Sequence, residues 1–177
     1  MARIFSVFVA GWLMAASALS AQAATYTVRE VEVRAQPALV IRSAVPPSEV
    51  AQTLGSSIPK VLKFVEARGG SLAGPPITRY LSQSSELFEI EVGFPLTSPL
   101  AGEGEIVAIE LPGGKAALTN HFGSYQRLGE GHRAIIEWVM ANQKSIAGPP
   151  WEVYLSDPSS TPEEELVTRI FYPIAGN

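Results

Sequence analysis

The sequence predicts an α+β fold: a tandem duplication of a β-α-β-β unit, with two main helices on one antiparallel sheet and the copies related by a pseudo-twofold. Two observations carry this. The first is a repeat. Ala73-Gly74-Pro75-Pro76-Ile77-Thr78-Arg79-Tyr80-Leu81-Ser82 returns as Ala147-Gly148-Pro149-Pro150-Trp151-Glu152-Val153-Tyr154-Leu155-Ser156, 74 residues on. The match continues upstream without a gap, pairing Gln52 with Gln126, Gly55 with Gly129, Phe64 with Trp138 and Val65 with Val139. A repeat this long is two copies of a supersecondary unit, not a solenoid of short ones. The second observation is a change of period. Stretches alternating every two residues surround two stretches of helical spacing.

Met1 to Ala24 stands apart from the fold. Arg3 supplies a minimal basic region, Ile4 to Leu19 is apolar, and Ala21-Gln22-Ala23 is a small-residue cleavage site. The pattern is that of a secretory signal, cut after Ala23, leaving 24–177 as one domain with no membrane anchor. A periplasmic or secreted protein is expected. An uncleaved anchor is the alternative, but the apolar run is slightly short for a span.

Tyr26 to Arg34 alternates as a strand; Pro37 interrupts it, and Ala38 to Val45 resumes an extended pattern. Ser48 can cap a helix, with Glu49 in its first turn. Val50, Leu54, Ile58, Val61, Leu62 and Val65 recur at helical spacing, but Gly55 and Pro59 weaken the middle. The expectation is a short turn and then a main helix from about Ile58 to Ala67, stopped by Gly69-Gly70. Gly74-Pro75-Pro76 is a stiff turn. Strands Ile77 to Leu81 and Leu87 to Phe94 follow, joined through Gln83-Ser84-Ser85. Phe88, Ile90 and Val92 share one face; Glu89 and Glu91 share the other.

Thr97 to Gly104 is a Pro/Gly-rich linker, so the halves run over about 27–96 and 105–174. Glu105 to Leu111 and Lys115 to Phe122 read as strands around a Pro112-Gly113-Gly114 turn. Gly123-Ser124 introduces the second helix, whose apolar spacing runs through Tyr125, Leu128, His132, Ile135, Ile136 and Val139 to a stop at Asn142. Trp151 to Leu155 and Leu166 to Tyr172 close the chain, with a long acidic loop between. Each half is β-β-α-β-β, or β-α-β-β if its first two strands are one interrupted strand. Two such units can share a core and leave a concave seam, where pockets commonly form.

With no cysteine, disulfides, thiol chemistry and thiolate metal sites are excluded. The formal charge is −4 with no basic patch, which argues against nucleic acid as a partner. His121 and His132 are eleven residues apart, with no nearby Cys or paired carboxylate at ligand spacing, so no metal is expected. No nucleophile elbow or phosphate loop occurs, and no cofactor is implied. The informative position is Glu152. On a regular strand Trp151, Val153 and Leu155 pack on one face, and Glu152 and Tyr154 point to the other. The first copy has Thr78 where the second has Glu152. A solvated carboxylate on an open face is the plain alternative to a site.

The runs HFGSYQRLGEGHRAIIEWV, AGPPWEVYLSDP and TPEEELVTRIFYPI carry the pattern H-x-G-x-Y, P-P-W-E-x-Y-L-x-D-P and T-x-I-x-x-P. They resemble the second half of the GyrI-like small-molecule-binding domain, also called the AraC-type effector-binding domain. The similarity covers roughly Thr27 to Ile174. It implies a pseudo-symmetric cup holding an amphipathic, often cationic ligand against a seam glutamate among aromatic side chains. Glu152 matches that glutamate, and Tyr154 and Tyr125 match aromatic positions near it. Tyr80, the first-copy counterpart of Tyr154, joins them as a candidate. An export signal and the lack of a helix-turn-helix separate this chain from the regulators of the family. The expected function is small-molecule binding. The alternatives are hydrolysis of a reactive small molecule with Glu152 as general base, and a structural module of the envelope.

Overall fold

The structure is a computed structural model describing residues 26–176. The signal segment expected at 1–23 lies outside the described residues. In chain order the elements are β1 (Arg29–Val33), β2 (Gln36–Val45), α1 (Val50–Ala67), β3 (Ile77–Gln83), β4 (Phe88–Pro95), β5 (Ile106–Leu111), β6 (Gly114–Phe122), α2 (Leu128–Ala141), β7 (Ser145–Ile146), β8 (Trp151–Tyr154) and β9 (Val167–Ala175). Short 3-10 turns at Pro47–Glu49 and Tyr125–Arg127 lead into the two helices. No helix among the described residues is long and apolar enough to cross a membrane.

The sheet is antiparallel throughout, in the order β1-β6-β9-β8-β3-β4-β2-β5, with β7 beside β9. It curls into a half-barrel with both helices on one face. Exchanging β1 with β5, β2 with β6, β3 with β8 and β4 with β9 turns this order into its own reverse, which is the pseudo-twofold. Its centre is the β3–β8 pair. Ile77 pairs with Val153, Thr78 with Glu152 and Arg79 with Trp151. Tyr80 N–H donates to the Pro150 carbonyl, and Tyr154 N–H donates to the Pro76 carbonyl, both at 3.0 Å. The two Gly-Pro-Pro turns therefore hold equivalent places.

The first strands do not stay with their own halves. β1 pairs with β6 and β5 pairs with β2, so each copy lends its first strand to the edge of the other. The two strands before each helix are thus separate, and the β-β-α-β-β description is the right one. Pro37, expected to interrupt, lies inside β2 near its start, where its carbonyl accepts from Leu96 N–H.

Each helix covers an equivalent core. Val61 and Val65 of α1 pack on Leu39, Phe94 and Leu96; Ile135 and Val139 of α2 pack on Ala117, Tyr172 and Ile174. The helical pairs keep the offset of 74, whereas the sheet-side pairs are offset by 78, because loops differ in length. α1 corrects the sequence expectation: it begins at Val50 and runs through Gly55 and Pro59 without a break. An interior proline costs about 3 kcal/mol and a glycine about 1 kcal/mol. Val61 and Val65 are fully buried, and Val50, Leu54, Ile58 and Leu62 are partly so. At about 1.5–3 kcal/mol for each fully buried side chain, that apolar stripe outweighs the local penalty.

Glu91 lies on the face opposite Ile90 and Val92, as the alternation places it, and it is fully buried. Its Oε1 accepts from Arg42 Nε at 2.7 Å, and Arg79 Nε stands 2.8 Å from its Oε2.

Candidate functional site

The strand alternation expected at β8 is present. Trp151 stacks on Phe171 on one face, with ring centroids 4.8 Å apart and planes at 5°. Glu152 and Tyr154 point the other way, toward the helices. There a cavity of about 480 Å³ opens between α1 and α2 over the central strand pair. Glu152, Tyr154 and Tyr80 form its floor, Tyr125 and His132 one wall, and Val50, Ala51 and Leu54 of α1 the other. All four residues singled out from the sequence (Glu152, Tyr154, Tyr125 and Tyr80) line this one cavity. A larger hollow of about 630 Å³ lies on the opposite face beside Trp151, Val153 and Phe171, and none of the four lines it.

Glu152 is 2% exposed, so the open solvated face is not what the structure shows. Its carboxylate is held by three donors. Tyr154 donates to Oε2 at 2.6 Å and Tyr80 to the same oxygen at 3.1 Å. These tyrosines are symmetry counterparts, converging from both sides of the axis. His132 Nε2 meets Oε1 at 2.8 Å, and its Nδ1 meets the Tyr172 hydroxyl at 2.9 Å. A carboxylate can only accept, so Nε2 carries the proton; in the neutral ring Nδ1 then accepts from Tyr172.

The surrounding hydroxyls stay protonated. Burial, then the Glu152 charge, pushes Tyr80 and Tyr154 well above the ordinary tyrosine range. The same two causes push Tyr172 up to about 12. Tyr125 is raised by burial, then by Asp157 and Glu152, and stands edge-on to Tyr154 at 5.7 Å. Among the described residues no Lys or Arg pairs with Glu152, and no group of three His, Cys, Asp or Glu could hold a metal ion.

His132 is the residue that sequence reasoning missed, since its spacing placed it among the apolar markers of α2. The repeat held a signal for it. At the offset of 74, His132 corresponds to Ile58, Tyr125 to Ala51 and Glu152 to Thr78. At all three cavity positions the second copy has the polar or aromatic group and the first has a small, apolar or neutral one. His121, by contrast, lies outside the cavity walls. It is buried, with Nδ1 2.7 Å from the Tyr26 hydroxyl and Nε2 2.9 Å from the Ser124 carbonyl. Trp138 packs against the α2 core, as Phe64 does against that of α1.

The model of the GyrI-like small molecule binding domain matches residues 26–175. A search of curated proteins finds no match. Among solved structures, the C-terminal domain of EcmrR superposes with a TM-score of 0.76 at 21% identity, over 86% of this chain and 99% of that one. The chain spans 58% of the longer EcmrR chain seen in a complex with DNA. SAV2435 bound to tetraphenylphosphonium matches with a TM-score of 0.57 at 12% identity, over 86% of this chain and 95% of that one. A hydrolase from Listeria innocua matches with a TM-score of 0.56 at 13% identity, over 84% and 91%. At these identities the likeness is one of fold. The family match covers nearly all the described residues, and the chain belongs to the GyrI-like small-molecule-binding domain family.

Proposed function

We propose that this chain binds an amphipathic aromatic cation in the cavity between the helices, with Glu152 as the counter-charge. One observation carries the reading: a buried carboxylate on an aromatic floor is held by two tyrosines and a histidine and has, among the described residues, no Lys or Arg to balance its charge. A carboxylate removed from water interacts strongly with a ligand cation, while tyrosine rings add area and cation–π attraction. The tetraphenylphosphonium held by SAV2435 is a ligand of this chemistry and a suitable probe. Glu152→Gln keeps the shape and removes the charge. In calorimetric titration it is expected to weaken tetraphenylphosphonium binding by roughly 1.5–3 kcal/mol, the scale of a hydrogen bond to a charged group. Neutral triphenylphosphine oxide should lose much less. Equal affinity of the cation for both proteins overturns the reading.

The hydrolase alternative asks Glu152 to take a proton from water. Both its oxygens are already engaged by donors, so the geometry favours holding a ligand over activating water. We also propose export, on the basic start, apolar run and Ala21-Gln22-Ala23 of the sequence. N-terminal sequencing of the protein from the cell envelope tests it; an intact Met1 on cytoplasmic protein contradicts it.

A further inference from the structure

We propose that His132 sets the charge the cavity selects, and that binding of a cation is coupled to release of a proton from this imidazole. The inference rests on the reading that a cation pairs with Glu152.

Three observations lead to it. His132 Nε2 lies 2.8 Å from Glu152 Oε1, so the imidazole of the cavity, the side-chain type whose ordinary charge change falls nearest neutral pH, touches its buried carboxylate. When the ring is neutral, the Glu152 charge is free to pair with a ligand. When it is protonated, the imidazolium is itself the counter-ion and an entering cation meets a like charge. Proton and ligand cation then compete for one carboxylate.

The groups facing His132 leave it this role. Glu152 comes from β8 and Tyr172 from β9, and the Tyr80 ring of β3 stands edge-on at 6.2 Å. The α1 wall is apolar, formed by Val50, Ala51 and Leu54. On α2 itself, Glu130 pairs with Arg127, and Arg133 and Glu137 are exposed. Tyr80, Tyr154 and Tyr172 all remain neutral well past the range in which histidine titrates, so they do not supply the switch.

The third observation is the repeat. α1 places Ile58 at the position of His132, and there an apolar side chain packs against the core. The fold therefore has no need of an ionisable group there, and a polar residue on the core side of α2 calls for another reason.

Coupling of this kind is reciprocal: a cation that expels a proton binds more weakly as protons become abundant. The test is calorimetric titration of tetraphenylphosphonium and of triphenylphosphine oxide, from about pH 8 down to about pH 5, where histidine changes charge. In the wild type the cation's affinity should fall by up to about tenfold per pH unit over the acid part of that range. Titration in buffers of different ionisation enthalpy should show up to about one proton released per cation bound. Triphenylphosphine oxide should show no such fall. His132→Gln, which keeps a donor for Glu152 and cannot charge, should lose the slope and the proton release, whatever its affinity at the alkaline end. Nuclear magnetic resonance of the wild type gives the same answer without a variant: the cation should shift the His132 ring titration to lower pH and leave His121 unmoved.

Equal slopes in wild type and His132→Gln, or binding with no proton released at any pH in the range, overturn the coupling and leave the binding reading standing. Absence of saturable tetraphenylphosphonium binding at every pH overturns both.

Discussion

Thr78 and Glu152 are equivalent residues of the two copies, and they are also cross-strand partners, facing each other where the pseudo-twofold passes through the β3–β8 pair. This limits what the duplication can hold. A side chain on the axis meets its own counterpart, and two carboxylates directly opposite in a buried sheet repel. A charge can stand at one of the two positions, and the other must be neutral. The asymmetry that marked Glu152 in the sequence is what the symmetry requires.

Thr78→Glu should therefore be strongly destabilising near neutral pH, by about 3 kcal/mol or more, the scale of an uncompensated buried charge. The loss should shrink in acid, where the two carboxyls can share a proton. Adding Glu152→Thr should return much of the stability, because Tyr80 and Tyr154 reach the axis from both sides. Urea denaturation of the two variants checks this. A double variant no more stable than Thr78→Glu alone would mean that the two positions are not interchangeable.

The tyrosines predict an alkaline limit. Tyr80, Tyr154 and Tyr172 are all raised in the fold, the last to about 12 against an ordinary value of 10.0. A folded state with raised values holds its protons longer than the unfolded chain. The stability this contributes is complete below about pH 10 and is lost as the pH rises through the folded values. Of the five tyrosines, Tyr26 and Tyr125, which are raised less, should ionise first. The other three should ionise only as circular dichroism reports unfolding. Reversible ionisation of all five near the ordinary value, with the fold intact, would contradict the buried network.

Two glycines should respond in opposite directions to alanine. A Cβ on Gly93 would lie 1.9 Å from the Leu39 carbonyl oxygen, so β2 and β4 would have to move apart. Gly93→Ala should cost about 3 kcal/mol, the upper end of overpacking. At Gly55 a Cβ meets nothing within 4 Å on the exposed side of α1. Gly55→Ala should stabilise by about 0.5–1 kcal/mol through helix propensity and reduced chain entropy. Thermal melts of both variants check the signs.

Much of the fold was legible because its information is local or repeated. Period-two alternation assigns Glu152 and Tyr154 to one face and Trp151 to the other, whatever the strand packs against. The repeat exposes the Thr78–Glu152 contrast and the equivalence of Tyr80 and Tyr154. By itself the sequence determined the duplication, the faces of β4 and β8, and four residues that share one cavity.

Only the tertiary structure decided the rest, since it depends on distances between segments far apart in the chain. Pairing of β1 with β6 and of β5 with β2 is a choice among strand partners that periodicity cannot rank. α1 runs through Pro59 because burial against the sheet exceeds a local penalty, and propensity registers only the penalty. Glu91 is buried between Arg42 of β2 and Arg79 of β3, partners on neighbouring strands that alternation along β4 does not register. His132 reads as one more residue on the core face of α2 until that helix lies over β8. The packing then sets its ring 2.8 Å from a carboxylate twenty residues away in sequence, and a spacing rule has no access to that distance.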